Sequence, residues 1–321
     1  MPRRSIGQLG LMDAAIARRG NRRGDALSAL SRLVDWTRFE ALLCGIHRSA
    51  KGEASYPPLM MFKVLLLQRW HGLSDPAMEA ALSDRVSFMS FAGLSLEDET
   101  PDHSTIWRFR EALGREGLME ALLTELNRQL AEHGVLVRQG TLIDASIVRS
   151  AARRPRMDED KVSPVDPDAR FGTTNEQRRF AFGYKFHVAV DGGSGLVRAA
   201  VLTPANQQEV AVAPALLDHA DGTVYADRGY DSNRLRRELA LRGLGDGLMV
   251  RRHGRELTAA ETERNHRLSL VRRPVEAVFG TLKRSYRMGR MRAFSQTRNA
   301  VDLILFCIAF NLRRWHVLAT A

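Results

Sequence analysis

Two aspartates lie in segments whose other residues are typical of buried strands. Asp144 lies in GTLIDASIV (140–148), and Asp227 lies in GTVYADRGY (222–230). An acid among strand residues is disfavoured, and burying its charge without a partner costs free energy. Each aspartate therefore needs a reason. A turn-capping role is the ordinary one, and the Arg-Gly pair after Asp227 suits it. A divalent cation is the other, because hard cations take oxygen ligands.

A third acid, Glu276, is the single carboxylate in RRPVEAVFGTLKRSYR (272–287), which carries five bases. On a helix, Lys283 and Arg287 fall within about 20° of Glu276, so we expect them to bind phosphates beside it. An ion pair with Arg272 is the simpler role for Glu276, but base before acid is the weaker order. Two aspartates on a sheet and a glutamate on a packed helix can hold two divalent ions, which clamp the reacting oxygens of a phosphodiester.

The formal net charge of +11 is concentrated near the end of the chain. Residues 251–321 hold 15 bases against 5 acids, whereas the first 250 residues hold 33 bases and 32 acids. A basic surface that only keeps the protein soluble is one explanation. A surplus concentrated around a candidate metal ligand favours nucleic acid as the partner.

Length and cysteine usage indicate a two-domain protein of a reducing compartment. At 321 residues the chain exceeds one average domain. Cys44 and Cys307 lie far apart and suggest no disulfide framework. The longest apolar run, LILFCIAFNL (303–312), is too short to span a bilayer and is typical of a buried helix. With no signal peptide visible, we expect a soluble cytoplasmic protein without a membrane partner.

Residues 1–135 have helical periodicity, beginning with DAAIARRG (13–20). Helix start signals recur at 57–58, 74–76 and 102–104. Short helices separated by tight turns suit a helix-turn-helix DNA-binding domain, in which Arg108 and Arg110 would contact bases or phosphates. A helical bundle that only packs on the next domain explains the same pattern, and both interpretations stay open. Trp107 could insert into DNA, but helical aromatics usually belong to the core.

Residues 136–321 are typical of an α/β (α+β) fold, with a mixed sheet flanked by helices. Predicted strands cover 140–148, 222–230, 247–250 and a hairpin at 184–206, and predicted helices cover 214–219, 232–243, 272–287 and 299–314. The polar segment 149–183 is expected to be a mobile loop. His187 is predicted to lie on a face of the sheet and not to bind metal, because strand alternation alone explains it.

Sequence motifs along nearly the whole chain are similar to those of one known family. The N-terminal ones are SYPPLMMFKVLLLQRWHGLSDPAMEAALSDRVSFMSFAGL and PDHSTIWRFREAL, and the core ones are GTLIDASIV, FGYKFHVAVD, TPANQQEV and YADRGYDS. RRPVEAVFGTLKR carries the final acid. Through these motifs the chain resembles the DDE transposases of bacterial insertion sequences, specifically the insertion-sequence-five branch of the ribonuclease-H-like superfamily.

The resemblance implies a ribonuclease-H-like catalytic domain at 136–321 behind an all-helical DNA-binding domain at 1–135. It implies that Asp144, Asp227 and Glu276 bind two catalytic Mg²⁺ ions, for which Mn²⁺ would substitute. The spacing of 83 and then 49 residues suits a core without a large inserted domain. The implied partners are double-stranded DNA, as transposon ends and target, and a second copy in a homodimer on paired ends. We expect a nucleoid-associated protein.

The family's C-terminal signature is Tyr, two residues, Arg, three residues, Glu, six residues, Lys. Arg272, Glu276 and Lys283 match it, but Ser269 stands at the tyrosine position. The resemblance implies that Arg272 and Lys283 contact DNA. Pro274 biases the residue before it away from helical geometry, so the helix is expected to begin there, with Arg272 approaching DNA from the preceding turn.

Three classes of function are compatible with these features. A transposase would cut at the transposon end and join the freed 3′-hydroxyl to target DNA by in-line phosphoryl transfer. A non-catalytic DNA-binding relative would need only the helical domain and the basic surface, and the presence of all three acids argues against it. A structure-specific nuclease would use the same acids without strand joining.

Overall fold

The computed structural model describes residues 3–8, 10, 26–46, 54–156, 162–173, 180–252 and 254–320. The chain forms two compact units, Met1–Gln129 with Ile304–Ala321, and Leu130–Leu303. The predicted domains place 304–321 with the C-terminal half, whereas these residues belong to the first compact unit. The difference arises because the last helix, Gln296–Thr320, begins in one unit and ends in the other.

Helices build the first unit, as its periodicity predicts. Those described are α1 (Ala26–Leu33), α2 (Trp36–Leu43), α3 (Pro58–His71), α4 (Asp75–Asp84), α5 (Val86–Ala92), α6 (His103–Glu116) and α7 (Met119–Glu132). The start signals act as expected: Ser74 accepts from the Ala77 amide at 3.3 Å, and Asp102 accepts from the Thr105 amide at 2.6 Å. The helix predicted at 13–20 lies outside the described residues.

Helix α12 (Gln296–Thr320) carries the longest apolar run. By length and composition it could cross a membrane, but half of its most apolar window is buried in the protein, and core helices of soluble proteins share this composition. Ile308 and Leu312 are fully buried. The indole N–H of Trp70 donates to the carbonyl of Ala309 at 2.7 Å. This part of α12 therefore belongs to the core of the first unit.

A mixed sheet, six-stranded within the described residues, forms the centre of the second unit. Its strands are β1 (Thr141–Arg149), β2 (Arg170–Thr173), β3 (Phe180–Asp191), β4 (Val197–Pro204), β5 (Thr223–Ala226) and β6 (Gly245–Leu248). β3 lies antiparallel between β1 on one side and β2 and β4 on the other. On the far side of β1, β5 and β6 continue the sheet in parallel. The predicted architecture, a mixed sheet flanked by helices and preceded in the chain by a helical region, is confirmed.

One face of the sheet is covered by α8 (Glu209–Leu217) and α9 (Asn233–Leu241). Leu216 of α8 and Leu239 of α9 are fully buried in a cluster with Ile143 of β1. Removing such apolar area from water stabilises the fold by about 25 cal/mol per Å². The core therefore holds β1 and its neighbours in place from this side.

The opposite face is covered by α11 (Arg273–Ser285). Phe279 of α11 meets Phe186 of β3 edge-on, with ring centroids 5.5 Å apart. Phe186 pairs with Ser146 of β1, and side chains alternate along a strand, so Asp144 points to the same face. The helix predicted to carry the third acid therefore covers the face to which Asp144 points.

The predicted helix at 272–287 is shorter than expected. It begins at Arg273, ends at Ser285, and follows an unpredicted helix, α10 (Ala259–Val271). Arg287 lies beyond the helix end in a left-handed conformation with φ 58°, which is uncommon for a residue other than glycine. Arg287 therefore does not share a helical face with Glu276, and that expectation is wrong.

The segment 149–183, expected to be a loop, is partly sheet. β2 pairs with the first residues of β3, from Phe180 to Gly183. Asp166 is fully buried and accepts hydrogen bonds from the hydroxyls of Ser150 and Tyr184. The loop expectation is wrong for this part, because a buried polar anchor and a strand pairing fix it. Residues 157–161 and 174–179 lie outside the described part of the chain.

Candidate active site

Asp144 and Asp227 come from the two strands that meet at the centre of the sheet. β1 and β5 are parallel neighbours, and Leu142 pairs with Tyr225. Asp144 follows Leu142 by two residues on β1, Asp227 directly follows β5, and the charge of Asp227 acts on Asp144. The structure thus brings together two of the three acids that the sequence singles out.

The carboxylate of Asp144 is mostly buried, with 16% of its side chain exposed. Its Oδ1 accepts from the Ala145 amide and its Oδ2 from the Arg272 guanidinium, both at 2.8 Å. Burial raises the pKa of Asp144 to about 7, Arg272 opposes this rise, and the charges of Asp227 and Glu209 add to it. A carboxylate in such surroundings favours a nearby cation. Arg272 is that cation in this structure.

Asp227 caps the short 3₁₀ turn Arg228–Tyr230 that follows β5. Its Oδ1 accepts from the Gly229 amide at 2.8 Å. The turn-capping interpretation is therefore confirmed. A cap of this kind does not exclude a metal role, because an ionised carboxylate offers about four acceptor positions. The cap also fixes the carboxylate at the end of β5, beside Asp144.

Glu276 is not joined to the two aspartates. It lies in the first turn of α11, and its side chain is exposed. Among the described residues, no three His, Cys, Asp or Glu side chains lie close enough to hold one metal ion. Glu276 does follow Arg272 by about one helical turn, and Arg272 contacts Asp144. Its role as the third metal ligand stays a prediction.

The three basic residues predicted to contact DNA near this site occupy different environments. Arg272 is buried and forms an ion pair with Asp144. Lys283 is exposed, and its Nζ donates to the hydroxyl of Ser146 at 2.5 Å, two positions along β1 from Asp144. Arg287 is exposed beyond the end of α11. Their contacts with DNA stay predictions.

The two arginines predicted to read DNA from α6 also differ. The Arg110 guanidinium binds both carboxylate oxygens of Asp75 and donates to Gln68 Oε1 at 2.9 Å, and 15% of the Arg110 side chain is exposed. Arg108 is exposed, and its guanidinium donates to the hydroxyl of Ser104 in the same helix at 2.5 Å. Arg110 therefore has a structural partner within its own unit, while Arg108 remains available at the surface.

Of two further side chains for which the sequence makes a prediction, His187 lies where expected and Trp107 does not. Trp107 is 47% exposed, so the expectation that it packs in the core is wrong. His187 is fully buried on β3, and its Nε2 lies 2.9 Å from the hydroxyl of Thr203. Burial lowers the pKa of His187 to about 3, and the charge of Lys185 adds to this effect. His187 is a neutral sheet residue, as predicted.

Three residues of the site were not singled out from the sequence: Glu209, Lys185 and Tyr230. Glu209 is the first residue of α8, and its carboxylate lies 3.3 Å from Lys185 Nζ. Tyr230 is fully buried, and its hydroxyl has no hydrogen-bond partner among the described residues. The signal that could have found them is their position in the motifs TPANQQEV, FGYKFHVAVD and YADRGYDS.

The residues present fit a hard divalent cation in chemistry and in charge. Asp144 and Asp227 supply neighbouring carboxylate oxygens, which are the ligands that Mg²⁺ takes in proteins. The charge of Glu209 also acts on Asp144, although no three of the described acids are close enough to share one ion directly. The buried Tyr230 hydroxyl has no hydrogen-bond partner among the described residues, and a water on such an ion would satisfy it. Asp144, Asp227 and Glu276 would hold the ions if α11 brought Glu276 to the pair.

Two family models match this chain. Residues 16–112 match the family described as Transposase domain (DUF772), and residues 136–312 match the family described as Transposase DDE domain. Among solved structures, the chain is similar to a piggyBac transposase synaptic complex with hairpin DNA, with 11% identity, a TM-score of 0.42, and coverage of 91% of this chain and 73% of that chain. The second family match spans more than half of this chain. The chain belongs to the transposase DDE-domain family and is a DDE-type transposase.

Proposed function

We propose that this protein is the transposase of a bacterial insertion sequence of the insertion-sequence-five branch. It would bind the terminal inverted repeats of that element, cleave DNA there with divalent ions, and join the freed end to target DNA. Membership of the transposase DDE-domain family makes it a DNA-cleaving enzyme of a kind that generally uses divalent metal ions. The observation that supports the proposal is that Asp144 on β1 and Asp227, just beyond the parallel strand β5, are neighbours in surroundings that favour a cation.

In this proposal Asp144, Asp227 and Glu276 hold two Mg²⁺ ions, and Mn²⁺ can substitute. Such ions, when bound, stabilise the charge on a reacting phosphate and lower the pKa of water. The backbone amides of Ala145 and Gly229 hold the two aspartates in place in advance. A carboxylate that is already oriented needs little reorganisation during the reaction. Glu276 completes the ligand set from the facing helix.

The basic residues around the acids would position DNA for cleavage and for strand joining. Lys283, held at the rim beside Ser146, would contact a phosphate next to the scissile bond. Arg272, which pairs with Asp144, would bind a phosphate, because a guanidinium pairs well with phosphate oxygens. Arg287, exposed beyond α11, would contact the backbone farther along. Both transfers are in-line and depend on positioning of the reactants.

Recognition of the terminal repeat is assigned to the N-terminal helical domain, residues 1–135. Trp107 and Arg108 occupy consecutive exposed positions on α6 and supply an aromatic and a cationic contact. Arg110 would hold the helix in place through Asp75 without reading DNA. We further propose that a homodimer pairs the two transposon ends, and that the protein acts in the cytoplasm on the nucleoid.

An assay with linear DNA that carries the element's terminal repeat tests this function, beside DNA of equal length with the repeat scrambled. We expect cleavage at the repeat in Mg²⁺ or Mn²⁺, no cleavage in EDTA, and joining of the cut 3′ end to a plasmid target. Cleavage without joining would indicate a structure-specific nuclease. Binding without cleavage in either ion would indicate a non-catalytic DNA-binding protein. Either result contradicts the proposal.

A further inference from the structure

We infer that Glu209 is a fourth acidic residue of the cation site and acts on the divalent ions through water. The inference rests on the proposed function and extends it to a residue outside the predicted set of Asp144, Asp227 and Glu276. Three kinds of observation carry it: the contacts of the Glu209 carboxylate, an unpartnered buried hydroxyl on the turn that Asp227 caps, and the charge of the cluster.

The Glu209 carboxylate lies between a lysine and the turn that holds Asp227. Its Oε1 is 3.3 Å from Lys185 Nζ. Its Oε2 lies at the place that a Cβ of residue 229 would fill, and the Gly229 amide donates to Asp227. A side chain at Gly229 would collide with both carboxylates. Glycine at this position therefore allows the Glu209 and Asp227 carboxylates to approach each other.

The hydroxyl of Tyr230 is the second observation. Tyr230 is fully buried, and within the described part of the chain its hydroxyl has no hydrogen-bond partner. Its amide donates to the carbonyl of Asp227 at 3.1 Å, so Tyr230 belongs to the turn that Asp227 caps. The charges of Glu209, Asp144 and Asp227 all act on the phenol. A buried polar group of this kind is usually satisfied by ordered water. A hydrated cation among the acids would bring such water.

The charge of the cluster is the third observation. Three carboxylates, Asp144, Asp227 and Glu209, face the two cations of Lys185 and Arg272. The acids of the cluster therefore outnumber its two cations before Glu276 is counted. Among the described residues no three acids are close enough to share one ion directly. A role for Glu209 through water agrees with this spacing, because outer ligands tune metal affinity without touching the ion.

The competing explanation is that Glu209 only stabilises α8. An acid in the first turn of a helix is favourable, and the ion pair with Lys185 adds to this effect. Lys185 Nζ also donates to the carbonyl of Gln207 at 3.0 Å, which fixes the start of the helix. A purely structural Glu209 would change the melting temperature but would leave cation affinity unaltered.

Titration of DNA-free protein with Mn²⁺, followed by the paramagnetic resonance of the free ion, separates the two explanations. We expect Glu209→Gln to weaken Mn²⁺ binding about ten- to a hundredfold, the range for outer ligands, and Glu209→Asp to restore most of it. The matched control is Glu238→Gln, which removes a carboxylate 2.9 Å from Arg242 on α9 and should bind Mn²⁺ normally. Wild-type Mn²⁺ affinity in Glu209→Gln would overturn the inference.

Two additions keep the test decisive. If Glu209→Gln fails to fold, the double variant Glu209→Gln with Lys185→Gln also removes the lysine that has lost its partner. The same loss of Mn²⁺ affinity is expected in the double variant. Unchanged affinity would overturn the inference. Asp144→Asn measured in parallel separates the two proposals. Loss of binding in Asp144→Asn but not in the Glu209 variants overturns the role of Glu209 alone, whereas no loss in any variant overturns the proposed cation site.

Discussion

Substitution of Arg110 by alanine should destabilise the protein, although the sequence alone assigns this residue to DNA recognition. The Arg110 and Asp75 side chains are 15% and 22% exposed. Burial raises the pKa of Asp75, but the hydrogen bond and charge of Arg110, with Gln68, outweigh it and lower the pKa. Arg110→Ala leaves the Asp75 charge partly buried without its cation. Removing one partner of a buried pair costs about 3–5 kcal/mol.

The expected loss lies at the lower end of that range. Asp75 keeps its hydrogen bond from Gln68 Nε2, at 2.6 Å, and its favourable position in the first turn of α4. We therefore expect Arg110→Ala to lose about 3 kcal/mol of unfolding free energy, or a melting temperature lower by roughly 6–12 °C for a domain of this size class.

Thermal and urea unfolding of the full chain measure this loss, and Arg108→Ala is the matched control. Arg108 is exposed, so its replacement should change stability by about 0.5 kcal/mol at most while weakening binding to the terminal repeat. The reasoning is refuted if Arg110→Ala keeps wild-type stability and loses repeat binding, because Arg110 would then be a DNA reader.

Two further predictions concern the basic rim and the sheet. Lys283→Ala should weaken binding to specific and random DNA alike and lower the slope of log affinity against log salt by about one, because one phosphate contact is lost. The control is Arg284→Ala, because the Arg284 guanidinium lies against Gly280 of its own helix. Arg284→Ala should have a smaller effect in the same salt titration. His187 has a folded pKa of about 3, below its unfolded value, so its contribution to stability is present above about pH 6.5 and is lost as the pH falls towards 3. Between pH 7.5 and 4.5 the free energy of unfolding should fall by about 3 kcal/mol because of His187, and His187→Gln should remove this fall from urea-unfolding measurements made across that pH range. An equal fall in the variant would contradict the assignment of His187 as a buried neutral residue.

The sequence was most informative where a residue conflicts with its neighbours. Asp144 and Asp227 stand out because carboxylates interrupt apolar strand segments, and the fold brings them near each other on β1 and just after β5. Glu209 gave no such signal, because an acid at the start of a helix is common for reasons of helix stability alone. Its approach to Asp227 depends on how α8 meets the turn after β5, which is a property of tertiary packing.

Roles in DNA binding are harder to assign to basic residues from sequence, because an arginine that contacts DNA and one that forms an ion pair inside the fold look alike. The partner of Arg110 is Asp75, 35 positions away. Arg287 was placed on a helix because the pattern carries no obvious stop before it, yet α11 ends at Ser285. Strand β2 was missed because it is four residues long and lies in a polar stretch.

The central claim, that Asp144, Asp227 and Glu276 form one cation site for DNA cleavage, is tested most directly at Glu276. Its side chain is exposed, so Glu276→Gln should leave stability within about 0.5 kcal/mol of wild type, and a loss of activity would report on chemistry and not on folding. Glu263→Gln, another exposed acid, on α10, is the matched control.

The measurement is the single-turnover rate of Mg²⁺-dependent cleavage at the terminal repeat, with binding of the same DNA measured in parallel. Loss of a metal ligand removes several kcal/mol of transition-state stabilisation, and about 4 kcal/mol corresponds to a rate about a thousandfold lower. We expect this loss in Glu276→Gln, with binding retained and Glu263→Gln unaffected. Cleavage by Glu276→Gln at the wild-type rate would contradict the account.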